Sequence, residues 1–128
     1  MAERLLLDTD LLIDYLRGRA EAVSYLEGLT APLLISAITV AELYAGVREG
    51  KERTRLDAFI SAFEIVPVDS ESAVRGGLYR RDYGKSHSVG LADALIGASA
   101  ELQQAELVTL NQKHFPMLPS VIVPYVKT

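Results

Sequence analysis

Five short apolar runs limit what this chain can fold into: Leu5-Leu6-Leu7, Leu33-Leu34-Ile35-Ser36, Ile65-Val66-Pro67-Val68, Leu107-Val108-Thr109 and Val121-Ile122-Val123. Runs this short and this continuously apolar are strands buried on both faces, the habit of parallel sheets covered by helices. The segments between them supply those helices. Apolar periodicity predicts helices over about Leu11 to Arg17, ending at Gly18, then Ala20 to Leu29, Thr39 to Val47 and Lys51 to Phe63. Ser70 to Arg81 reads as helical despite Gly76-Gly77, and Leu91 to Gln103 as a small-residue, largely buried helix. The expected class is α/β, with a central, mainly parallel, about five-stranded sheet flanked by helices.

A length of 128 residues, with no linker, repeat or composition shift, fits a single domain over residues 1–128. The absence of cysteine excludes disulfides, thiolate metal sites and cysteine nucleophiles, and fits a cytoplasmic protein. The first apolar run is broken by Asp8, Asp10 and Asp14, so it reads neither as a secretory signal nor as part of a membrane span.

Those acids pose the functional question. Burying an unpaired carboxylate costs several kcal/mol or forces its pKa upward, yet Asp8 follows three leucines directly. In open α/β sheets the active crevice lies at the carboxyl ends of the strands, which is where Asp8 falls. Capping of the next helix is the bland alternative, and Asp10 serves it equally well. Glu42 lies in Thr39-Val40-Ala41-Glu42, which matches a capping box, and the same position in a first helical turn puts its carboxylate at the crevice. Asp93 stands in SVGLADALIGASAEL, where nearly every neighbour is small or apolar. Favourable interaction with a helix dipole does not need such a setting.

Three carboxylates from separate strand–helix junctions form a hard-oxygen ligand set suited to Mg2+, with Mn2+ as a substitute, rather than to zinc. Such a metal activates water and steadies phosphate oxygens in a phosphodiester displacement. Net acidity alone argues weakly against a nucleic-acid partner. Neutralising three acids takes the formal charge from −4 to −1, and that objection fades.

The segments LLLDTDLLIDYLRG, ISAITVAELYAGV, GLADALIGASA and LVTLNQKHF, in that order, resemble the motif blocks of PIN domains, in particular the VapC toxin ribonucleases. The resemblance covers essentially the whole chain. It implies a PIN-like α/β/α sandwich and a Mg2+-dependent endoribonuclease that cuts RNA, works as a homodimer and is restrained by an antitoxin protein. By the same resemblance Asp8, Glu42 and Asp93 are the metal-holding acids, and Thr9 is the hydroxyl residue beside the first. Asn111 stands where a fourth acid often occurs. Its amide can ligate a cation or orient water but adds no charge, which puts a second metal in doubt.

Other residues read more plainly. Asp10 and Asp14 fit capping or solvated helix positions, and His87 and His114 fit surface histidines better than general bases. Arg48, Lys51, Arg53 and Arg55 interleave with acids as a solvated face does. Arg75, Arg80, Arg81 and Lys85 lead toward the loop before Asp93, where they are candidates to meet RNA phosphates. Tyr15, Tyr44 and Tyr79 read as packing residues rather than base-stacking ones.

Two rival functions remain. LLLDTDLL resembles the start of haloacid-dehalogenase-like phosphatases, with Asp8 as nucleophile, but Leu12 stands where that pattern wants Thr or Val, and LVTLNQ lacks its later acidic pair. A non-catalytic PIN-like binding module is the other; loss of a core acid would mark it, and none is lost.

Overall fold

The computed structural model describes residues 4–127. Strands β1 (Leu5–Leu7), β2 (Leu33–Ser36), β3 (Glu64–Val66) and β4 (Glu106–Val108) form one sheet in the order β3-β2-β1-β4, every neighbouring pair parallel. The helices are α1 (Thr9–Leu16), α2 (Ala20–Glu27), α3 (Ala37–Ala45), α4 (Lys51–Ile60), α5 (Ser70–Tyr83) and α6 (Leu91–Leu102), with a 3-10 turn at Gln112–His114.

The sheet has four strands among the described residues, not five. Ile122 forms only an isolated parallel bridge to Val108: its N–H donates to Leu107 O at 2.8 Å and its carbonyl accepts from Thr109 N at 3.0 Å. Pro119 and Pro124 bracket the segment, and a proline has no N–H to extend a ladder.

Alternation along the strands sorts the core onto two faces. Leu5, Leu7, Ile35 and Val108 pack with Leu11, Leu12, Ala22, Leu26, Leu43, Leu56 and Ile60 from α1 to α4. Leu6, Leu34, Val66 and Leu107 pack on the other face with Ile96, Ala100 and Phe115. The result is an α/β/α sandwich. Outside α6 lies α5, close enough that a Cβ on Gly76 would stand 2.5 Å from Leu95 Cδ2 and 3.1 Å from its Cα. That approach accounts for a glycine in mid-helix.

Helix α3 begins earlier than the sequence suggests. Ser36, the last residue of β2, caps it by accepting from Ile38 N at 3.0 Å, so Thr39 and Glu42 do not form a capping box. No helix among the described residues is long and apolar enough to cross a membrane.

Candidate active site

β1 and β4 run side by side, and their carboxyl ends carry the first half of the site. Asp8 donates its backbone N–H to Val108 O at 2.9 Å, then turns its side chain back to cap α1. Its Oδ1 accepts from Thr9 N at 2.8 Å and its Oδ2 accepts from Thr109 Oγ1 at 2.7 Å. Capping and lining the cleft are therefore not alternatives for Asp8. It does both, while only 5% exposed.

Thr9 links α1 to α3. Its Oγ1 donates to Glu42 Oε1 at 2.7 Å and lies 3.0 Å from Thr39 Oγ1. A hydroxyl has one proton; with that proton on Glu42, the fully buried Thr39 hydroxyl donates to Thr9. The threonine expected to cap α3 thus supports the hydroxyl that holds Glu42.

From the other side, Asp93 in the first turn of α6 brings Oδ2 to 2.9 Å from His114 Nδ1. The same nitrogen is 3.0 Å from the Asn111 amide nitrogen, and Asn111 N donates to Thr109 Oγ1 at 3.0 Å. Asp10 reaches across from α1, its carboxylate accepting from Leu11 N at 2.7 Å and from Leu110 N at 3.1 Å.

These residues line one open cleft of about 280 Å³: Asp8, Thr9, Asp10, Ile13, Glu42, Asp93, Asn111 and His114. Its electrostatics are those of acids held against one another. Burial, then the negative charge of Asp10, push the Asp8 carboxyl up to about 7, despite the hydrogen bonds from Thr109 and Thr9 that favour its ionised form. Burial also raises Asp10, against its two backbone hydrogen bonds and the charge of Lys127.

A hard cation fits this donor set, because oxygen ligands dominate it and a positive charge offsets both the burial and the repulsion that lift Asp8. The acids do not close on a preformed cage: no group of three or more Asp, Glu, His or Cys among the described residues is drawn together tightly enough to hold an ion by itself. Glu42 is tied to Thr9 and Asp93 to His114.

A family profile described as PIN domain matches residues 5–117. The chain belongs to the PIN-domain family. It is 38% identical to Ribonuclease VapC10 of Mycobacterium tuberculosis over 124 residues, covering 94% of this chain and 92% of that protein. It is 39% identical to Ribonuclease VapC19 of the same organism over 124 residues, covering 94% and 98%. Its structure resembles a chain in a toxin–antitoxin complex from Klebsiella pneumoniae, with a TM-score of 0.83 and 34% identity over 96% of this chain and 99% of that one. With membership of the PIN family, the reading of Asp8 as a phosphatase nucleophile falls away.

In this PIN domain every residue singled out for the site, Asp8, Thr9, Glu42, Asp93 and Asn111, lines the same cleft. Three others do more than their sequence surroundings suggest. Asp10 is a cleft residue as well as a local cap. His114 is bonded to Asp93, 21 residues away in sequence, a pairing that no local pattern signals. Thr109 reads in the sequence as the last residue of a strand, and its hydroxyl holds Asp8.

Asp14 is not solvated. It is 5% exposed, and it accepts from Tyr125 Oη and Lys127 Nζ, each at 3.0 Å. Some of the basic residues are engaged by acids, Arg75 with Glu101 at 2.6 Å and Arg53 with Glu49 and Asp57 at 3.1 and 3.2 Å. Tyr15 stacks on Phe59 with ring centres 5.2 Å apart, and the Tyr44 and Tyr79 hydroxyls donate to Asp57 and Glu101.

Proposed function

We propose that this chain is a metal-dependent endoribonuclease, the toxin of a toxin–antitoxin pair, acting as a single PIN-like domain over residues 1–128. One observation carries the reading: Asp8, Asp10, Glu42 and Asp93, from three separate helices and a strand end, line one cleft at the carboxyl edge of the sheet. The ribonuclease names of the two mycobacterial relatives and the toxin–antitoxin title of the Klebsiella structure support it.

Asp8, Glu42 and Asp93 are the residues that would hold the cation, Mg2+ by preference and Mn2+ as a substitute, since both favour oxygen donors. When bound, such a cation supplies Lewis acidity, making water nucleophilic near neutral pH and offsetting phosphodiester charge. The chain does the positioning. Thr109 and the Thr9 N–H each hold one Asp8 oxygen, leaving the carboxylate's remaining lone pairs for the cleft. Thr9 fixes Glu42, and Asn111 offers an uncharged amide that orients water or a phosphate oxygen at the rim.

A larger groove of about 380 Å³, lined by Leu16, Leu43, Val47 and Leu56, meets the acidic cleft at Ile13 and Glu42. An antitoxin segment reaching the cleft has apolar footing there. Val74, Leu78 and Leu91, exposed at 64%, 43% and 55%, supply apolar surface on α5 and α6 for the second copy of a homodimer. A cytoplasmic location suits a chain without cysteine.

The test is incubation of the purified chain with a mixed RNA pool in Mg2+ or Mn2+, then with a chelator, beside Asp93→Asn. Cleavage that needs metal and is lost in the variant supports the reading. Equal cleavage by the variant overturns the assignment of Asp93.

A further inference from the structure

His114 is the one imidazole in the cleft, and its placement is firm. Its own N–H donates to Asn111 O at 3.0 Å, closing the 3-10 turn. The next residue, Phe115, is 2% exposed and packs with Ile96 and Ala100 of α6 in the core. The turn that carries His114 is thereby anchored to the helix that carries Asp93.

Nδ1 of His114 faces two partners, Asp93 Oδ2 at 2.9 Å and the Asn111 amide at 3.0 Å. A ring nitrogen either donates or accepts; it does not do both. Facing a carboxylate at that distance, Nδ1 carries the proton and donates. The amide of Asn111 then presents its oxygen to the same N–H, since amide oxygen and nitrogen exchange places by a simple flip. One N–H thus joins a carboxylate on α6 to an amide beyond β4. The other two acids have comparable anchors, Asp8 in Thr9 N and Thr109, Glu42 in Thr9.

We infer that His114 is a positioning residue, whose Nδ1–H holds the Asp93 carboxylate and the Asn111 amide in the orientation that receives a divalent cation. The inference rests on the metal-dependent reading above. Groups that hydrogen-bond a metal-binding carboxylate or imidazole typically govern affinity by 10–100-fold without touching the ion.

The experiment titrates Mn2+ alone into the full chain and follows the free ion by electron paramagnetic resonance, without RNA. His114→Ala is expected to weaken Mn2+ binding by about 10-fold or more. His114→Asn puts an amide N–H close to where Nδ1–H stood and is expected to stay within about threefold of the unsubstituted chain. His87→Ala, in the loop between α5 and α6, serves as the neutral comparison. Unchanged affinity in His114→Ala overturns the inference and leaves the proposed function standing. Equal weakening in His114→Asn and His114→Ala overturns it too, because loss of packing rather than of the donor then explains the effect. If the unsubstituted chain binds no Mn2+, the metal in the proposed function and this inference fall together.

Discussion

The Thr9 hydroxyl donates to Glu42 Oε1 across 2.7 Å, and so binds the first turn of α1 to α3 inside the candidate site. Removing that donor frees Glu42 to swing into solvent and leaves the buried Thr39 hydroxyl without its acceptor. Thr9→Val keeps the shape and loses the proton, so RNA cleavage is expected to fall about 10–100-fold. Thr9→Ser restores the hydroxyl and most of the rate. Initial rates at fixed Mn2+ check this, and equal rates for Val and Thr at position 9 would contradict it.

Asp8 carries a cost to stability. Burial and the neighbouring Asp10 push its carboxyl up to about 7, so at neutral pH and without metal its charge opposes folding. Asp8→Asn keeps an acceptor for Thr9 N, turns an amide N–H toward Thr109 Oγ1, which then accepts, and removes the charge. In chelator the variant is expected to be more stable by about 1–3 kcal/mol, one pKa unit being worth 1.36 kcal/mol, while its cleavage is abolished. Urea unfolding at pH 7.5 in the presence of a chelator measures the gain.

Asp14 has the opposite sign. Burial pushes its carboxyl up, but hydrogen bonds from Lys127 and Tyr125 and the charges of Lys127 and Arg19 outweigh it, and the result lies below the ordinary carboxylate value. A folded value below the unfolded one gives stability that is complete above the unfolded value near 3.8 and is lost as pH falls through the lower folded value. Asp14→Asn is expected to cost about 1–2 kcal/mol at neutral pH, the ionic part being small because Lys127 and Arg19 are partly exposed. The gap to the unsubstituted chain should close as pH is lowered from about 5 toward 2 in acid-unfolding curves. A gap that persists at the acid end would contradict it.

Gly76 and Gly77 are neighbours with different burdens. A Cβ at 76 meets Leu95 at 2.5 Å, whereas one at 77 meets nothing within 4 Å. Gly76→Ala is expected to destabilise by about 1–3 kcal/mol by forcing α5 from α6. Gly77→Ala, on an exposed helix face, is expected to stabilise by about 0.5–1 kcal/mol. Thermal unfolding of the two variants compares them directly.

How much of this was legible in the sequence depended on how local the cause was. Leu5-Leu6-Leu7 and Leu33-Leu34-Ile35 announce parallel strands because successive residues meet apolar partners on opposite faces of the sheet. Val121-Ile122-Val123 has the same composition but sits between prolines, and composition does not say where a ladder stops. Thr39 and Glu42 have the spacing of a capping box, yet Ser36 claims the cap first because β2 runs straight into α3. The carboxylates stood out because acids following apolar strands are costly. Thr109, His114 and Tyr125 did not, since each matters through a partner 101, 21 or 111 residues away.

If Asp8, Glu42 and Asp93 act as one cation site for RNA cleavage, their substitutions are coupled. Cleavage of a single RNA at saturating Mn2+ by Asp8→Asn, Glu42→Gln and Asp93→Asn, and by the three double variants, measures that coupling. Groups that act as a unit are strongly non-additive. Each single substitution is therefore expected to remove at least about 100-fold of the rate, and each double variant to lose little more than its worse parent. A single variant that cleaves as fast as the unsubstituted chain, or double losses equal to the product of the single ones, would contradict it.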